Sequence, residues 1–134
     1  MEQRDYILRE IEKISVVIMA ILGKFRRIKS KKQFEQERTM IDNQLEEANG
    51  LTIDKLLSFT EEEIISFIDV NEGFVPGNME LLADLLIAFA ENLPENESRN
   101  LLNKAVIILE YVDRETKTFS MERSLKISCL RERL

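Results

Sequence analysis

With 134 residues, the chain is long enough for one domain of ordinary size. An apolar fraction of 44% excludes a disordered chain, and 33% charged residues suit helices whose outer faces are wet. Four Gly and two Pro leave too little turn material for an all-β fold, and the single cysteine, Cys129, rules out an intrachain disulfide.

The net charge is −6, but its distribution says more than its sum. Residues 1–32 carry nine Lys/Arg against four Asp/Glu, a balance of +5. Residues 33–119 carry six against nineteen, or −13, and the last fifteen carry four against two, or +2. A chain basic at both ends and acidic between has a built-in attraction of its terminal segments for its body, within one copy or between two.

The most regular signal comes first. Ile7, Ile11, Ile14, Ile18, Ile21, Phe25 and Ile28 recur at alternating steps of four and three residues, a heptad seam. The spacing predicts a long N-terminal helix within residues 1–30, starting near Gln3–Asp5 and running to about Ile28. Gly23 is its one weak position, costing about 1 kcal/mol relative to Ala. Leu8, Val16, Val17, Met19, Ala20 and Leu22 flank the seam, so the middle of the helix is apolar nearly all round. One face accounts for packing inside the chain, and the surplus asks for a second contact. The expectation is self-association, as a homodimer, through Ile7, Ile11, Ile14, Ile18, Ile21 and Phe25.

Lys24, Arg26, Arg27, Lys29, Lys31 and Lys32 then place six basic residues within nine. Positive charge suits the C-terminal end of a helix, where the last carbonyls are partly negative. The alternative is an anion or nucleic-acid site. The acidic remainder of the chain, and only Phe25 and Phe34 as neighbouring aromatics, weigh against nucleic acid.

Residues 31–134 read as a helical body. A second helix is expected over about Lys32–Ala48, with Phe34, Ile41, Leu45 and Ala48 on one face and Gly50 as a left-handed stop. Thr52 is placed to cap a short helix to Leu57, and Thr60 with Glu63 forms a capping box for the next, to about Val70. The loop NEGFVPGN (71–78) carries Phe74 and Val75 as plugs between helices. Asn78 is expected to cap a helix from Met79 to about Leu93 with Leu82, Leu85, Leu86 and Phe89 inward. Another helix follows over about Glu97–Lys117 (Leu102, Ala105, Val106, Leu109 and Val112 inward). Ser120 then caps a last helix burying Met121, Leu125, Leu130 and Leu134. The class is all-α: a single-domain bundle of about six to seven helices.

The hairpin of residues 79–93 and 97–117 resembles one degenerate tetratricopeptide-type repeat, with Leu82, Leu85, Phe89, Leu102 and Ala105 at the spacing of that repeat's packing residues. Leu86 stands where the repeat has glycine and Ser98 where it has alanine, and no second copy follows at the repeat period. QRDYILREIEKI and NLLNKAVIILEYVDRETKTFSMERSLK are similar to segments of a group of small bacterial helical proteins without an assigned activity. That resemblance implies an all-α fold and supplies no catalytic residue.

The residue inventory argues against catalysis. There is no His, the commonest general base and metal ligand near neutral pH. Cys129, beside Leu130, reads as a small buried hydrophobe. Glu80 with Asp84 and Asp42 with Glu46 are helical-spacing pairs that any acidic helix produces by chance, and no glycine-rich phosphate loop occurs. No catalytic, cofactor or metal-binding residue is assigned and no cofactor is expected. The longest purely apolar run, Val16–Leu22, is far short of the roughly 20 residues of a membrane span. Acidic residues before it and the lack of a small-x-small site after it make a poor secretion signal, so the cytoplasm is the expected compartment. The expected function is a non-enzymatic protein-interaction or scaffolding module with itself and a further protein as partners. The alternative is nucleic-acid or anion binding through residues 24–32.

Overall fold

The computed structural model describes residues 2–134, which form seven helices and no strand. In chain order these are α1 (Glu2–Phe25), α2 (Lys31–Asn49), α3 (Ile53–Ser58), α4 (Glu61–Val70), α5 (Pro76–Ala90), α6 (Glu95–Thr116) and α7 (Met121–Glu132). The all-α bundle expected from the sequence is the fold.

Local chemistry sets most of the boundaries. Thr52 and Ser120 accept hydrogen bonds from the amides of Lys55 and Arg123, three residues on, as N-caps do. Thr60 and Glu63 complete a reciprocal capping box. Gly50 closes α2 at φ 77°, a conformation that costs glycine nothing. At the end of α6 that role falls to Lys117, at φ 53°.

Three boundaries differ from expectation. α1 stops at Phe25 rather than Ile28, closing with tighter bonds from Arg27 N–H to Lys24 O and Ile28 N–H to Phe25 O. The chain leaves the helix there because Ser30, in extended backbone, caps α2. α5 begins at Pro76, not after Asn78, since proline at the first helical position brings its φ ready-made and loses no needed N–H. It also ends at Ala90 rather than Leu93, and Pro94 stands at the cap of α6.

α5 is the centre of the molecule. Leu82, Ala83, Leu85, Leu86 and Phe89 are fully buried, and the helix packs against α6 on one side and α1 on another. α2 lies along α1, α3 and α4 lean on α6, and α7 packs on α6. Phe25 links three helices, stacked on Phe34 of α2 and edge-on to Phe89 of α5, with ring centroids 5.8 Å and 5.3 Å away. The inward residues anticipated on α2, α5 and α6 are all buried.

α7 departs from its expected orientation. Leu130 is buried as anticipated, but Met121, Leu125 and Leu134 are exposed; Arg123 and Ile127 face inward instead. Cys129, expected inside, is exposed on the same outer side. The acidic groups on α5 and α6 explain the rotation, because they draw the cationic side of α7 inward.

The loop before α5 fastens α1. The buried side chain of Asn78 donates to the carbonyls of Ile11 (2.9 Å) and Gly73 (2.8 Å), so one amide group joins the loop to α1. A Cβ on Gly73 would fall 2.5 Å from Ile14 Cδ1 and 3.2 Å from the Glu10 carbonyl, so any larger residue would have to push the buried Ile14 side chain aside. Phe74 is buried beneath the loop, as expected. Replacing Asn78 by Ala removes both hydrogen bonds and should destabilise the fold by about 1–3 kcal/mol, measured as a lower urea midpoint with an unchanged slope.

Candidate interaction surface

The α1 seam divides into two parts. Ile14, Ile18 and Ile21 are 0% exposed, while Ile7, Ile11, Phe25 and Ile28 are half-buried. The centre of the seam belongs to the chain's own core, because α5 offers it an apolar surface. Three of the six residues assigned to self-association are therefore out of reach of a second copy. The surplus apolar residues lie on the other side: Val16, Met19 and Leu8 are 57%, 54% and 54% exposed, and Ala20 is exposed beside them. Val16, Met19, Ala20 and Gly23 follow the i, i+3, i+4, i+7 spacing of one helical stripe. A groove of about 320 Å³ runs beside it, lined by Lys13, Val16, Val17 and Ala20 of α1 and by Gln44, Glu47 and Ala48 of α2.

The basic cluster is split by the turn between α1 and α2. Arg26, Lys29 and Lys31 border a cleft of about 610 Å³ floored by Leu22, Phe25 and Ala88, with Asp84 and Glu91 on its far wall. Lys24 and Arg27 face a separate groove with Gln33, Glu37 and Met40, and Lys32 is exposed. Lys24 donates to Gln44 Oε1 at 3.0 Å. Among the described residues, none of the six is ion-paired.

The basic residues of α7 behave differently. Arg123 reaches Asp113 and Glu80 and donates to the carbonyl of Thr118; Lys126 pairs with Asp84, Arg131 with Glu110 and Arg133 with Glu91. The hydrogen bond to Asp113 raises the Arg123 pKa further above its ordinary value. The attraction between the basic C-terminal end and the acidic body thus acts within one chain.

One buried cation lies elsewhere. Lys104, 5% exposed, donates to the carbonyls of Leu56 (2.7 Å) and Leu57 (2.8 Å), where α3 gives way to α4. It neutralises carbonyl groups at the end of a helix, where positive charge is favoured. The helical periodicity of α6 puts this position near the inner face, but the carbonyls it meets lie 48 and 47 residues away in the chain, so no local pattern marks the contact. Burial pushes its ammonium below the usual lysine pKa, and Glu63 offsets part of that. Among the described residues, no three Cys, Asp or Glu side chains gather as metal ligands, and no helix is long and apolar enough to cross a membrane.

Comparison of the chain with protein-family models, curated proteins and solved structures returned no match.

The folded chain holds the Lys104 proton less tightly than the unfolded chain does, so stability should rise with pH between the lowered value and the ordinary one near 10.5. Lys104→Met should abolish that rise. It also strands the Leu56 carbonyl, whereas Leu57 keeps Asn100 as a donor. Urea denaturation at neutral pH should show a loss of about 1–3 kcal/mol.

Proposed function

We propose that this chain is a non-enzymatic interaction module that pairs with a second copy through the outer face of α1 and the adjoining surface of α2. The observation that carries this reading is the exposed stripe of Leu8, Val16, Met19 and Ala20, opposite a seam already filled by the chain's own α5. A helix with one apolar face inward and a second outward has a surface fit for a partner. The small residues Ala20 and Gly23 allow another helix to approach closely.

Charge favours a second copy as that partner. Along the α1–α2 face, one end carries Lys24 and Arg27, and the other carries Glu12, Glu46 and Glu47 with Lys13 among them. A two-fold antiparallel arrangement brings the basic end of each copy to the acidic end of the other, as self-complementary interfaces require. The resemblance of α5 and α6 to a tetratricopeptide hairpin is compatible with a role in binding protein.

The test separates surface from core. Val16→Asp and Met19→Asp should each weaken the dimer at least tenfold, seen by light scattering across a dilution series, with helicity and melting temperature retained for the monomer. Ile18→Asp should unfold the chain, because it buries an unpaired charge. Wild-type protein that remains monomeric at high micromolar concentration would refute the pairing.

A second reading has an observation of its own. Six basic residues without an ion pair are costly to hold together, and a polyanion would relieve their repulsion. If the corner of residues 24–32 binds nucleic acid, Arg26→Glu with Arg27→Glu and Lys29→Glu should eliminate a salt-dependent affinity for single-stranded RNA. No binding by the wild type at low salt would dismiss it.

A further inference from the structure

α7 is held in an unusual way for a helix of a bundle. It turns its cationic side toward the body and leaves Met121, Leu125 and Cys129, spaced at i, i+4 and i+8, on the outside. Only Ile127 and Leu130 supply buried aliphatic contact. The three basic residues of α7 all meet carboxylates on α5 or α6, and Arg133 at its C-terminal cap meets Glu91 at the cap of α5. The helix is joined to α6 by Lys117–Ser120, a short non-helical link.

Beneath α7 lies a face with the chemistry of a receptor. Glu80 and Asp84 of α5, Glu91 at its cap, and Glu110 and Asp113 of α6 receive the cations that flank buried Ile127 and Leu130 along α7. What fits it is an amphipathic helix with an apolar pair at i and i+3 flanked by Arg and Lys at i−4, i−1 and i+4. That is the helix-in-groove mode of peptide recognition. α7 meets that description itself, through Arg123, Lys126, Ile127, Leu130 and Arg131.

We infer that the α5–α6 face is a docking site for a basic amphipathic helix of a partner protein, and that α7 is its tethered occupant, displaced when the partner binds. Of the charge pairs that hold α7, those of Lys126 and Arg131 are partly exposed and that of Arg123 is buried. An incoming helix of the same pattern would replace each of them along with the small apolar contact of Ile127 and Leu130. A short tether gives α7 an effective concentration of about millimolar, so an incoming helix must compete against that. The site uses none of the residues of the α1 pairing surface, and its test does not depend on oligomeric state.

A fluorescein-labelled synthetic peptide of residues 118–134 serves as the probe. It is titrated into the full-length chain and into a full-length variant carrying Arg123→Glu, Lys126→Glu and Arg131→Glu, whose own α7 is repelled by the carboxylates. The variant should bind the peptide at least tenfold more tightly than the wild type, and the affinity should fall as salt rises. Adding Asp84→Lys and Glu110→Lys to the variant should remove binding. A cooperatively melting variant that ignores the peptide, or one that binds it no better than wild type, would overturn the proposal. Amide exchange on the wild-type chain gives a second reading that needs no variant. Raised salt should deprotect α7 selectively while α5 and α6 stay protected. Protection of α7 equal to that of α5 and indifferent to salt would also overturn it.

Discussion

α5 is buried over a wider arc than one neighbouring helix can cover, and the arrangement of the other helices follows from that. Its fully buried leucines and Phe89 share one face, and buried Ala83 and Ala90 widen that face to an arc that no single helix can cover, so at least two other helices must pack on it. α6 supplies one surface as the second arm of a hairpin, and α1 supplies the other through Ile14, Ile18 and Ile21. The two ends of the chain are thereby committed to the same core element. The sequence separation of Asn78 and Ile11, joined by a side-chain amide, shows how non-local that commitment is. Short helices with good caps, α3 and α4, need only lean on α6 from outside.

Electrostatics distribute the remaining elements by a different rule. The carboxylates on the outer edges of α5 and α6 are too many to be left unpaired at low cost, and α7 brings cations to them. The pairs of Lys126 and Arg131 are partly exposed and contribute little each. Beyond the buried Arg123 and two aliphatic side chains, α7 therefore has less to fix it than a helix held by aliphatic burial along its length. That difference separates α7 from α1, although both are amphipathic and both lie on the same central hairpin. At the corner between α1 and α2, by contrast, the cations border clefts that carboxylates also line without pairing with them.

Periodicity carried most of the fold. The inward stripes of α2, α5 and α6 were legible because their apolar residues repeat at the helical period and have one possible core to face. Caps with a side-chain acceptor at the right spacing, such as Thr60 with Glu63, were legible for the same local reason. What was not legible depended on partners distant in sequence. Asn78 has the residue type of an N-cap, but Pro76 starts the helix two residues earlier and frees the amide to reach α1. α7 has weak amphipathicity, so its orientation is decided by carboxylates that lie in other helices. Ser30 was missed although Gln33, three residues on, marks it as a capping position. The seam on α1 marks a packing surface, but the expectation assigned it to a second copy, and that α5 takes its centre is decided by contacts distant in sequence.

The two outward apolar stripes, on α1 and on α7, ask for different explanations because their backs are held differently. On α1 the back is core: Ile14, Ile18 and Ile21 cannot leave without dismantling the packing on α5, so the outer stripe is a fixed surface on a rigid helix. A rigid, exposed apolar stripe is what a permanent or self-complementary contact needs, since little conformational entropy is lost on binding. On α7 the back is charge and two aliphatic side chains, so the helix can leave as a unit. An apolar stripe on such a helix does not define a fixed docking face. It marks a segment whose inner and outer sides are nearly balanced in burial, and only the carboxylates on α5 and α6 decide which side faces in. The same acidic residues that orient α7 are thus the ones that would select any helix able to replace it.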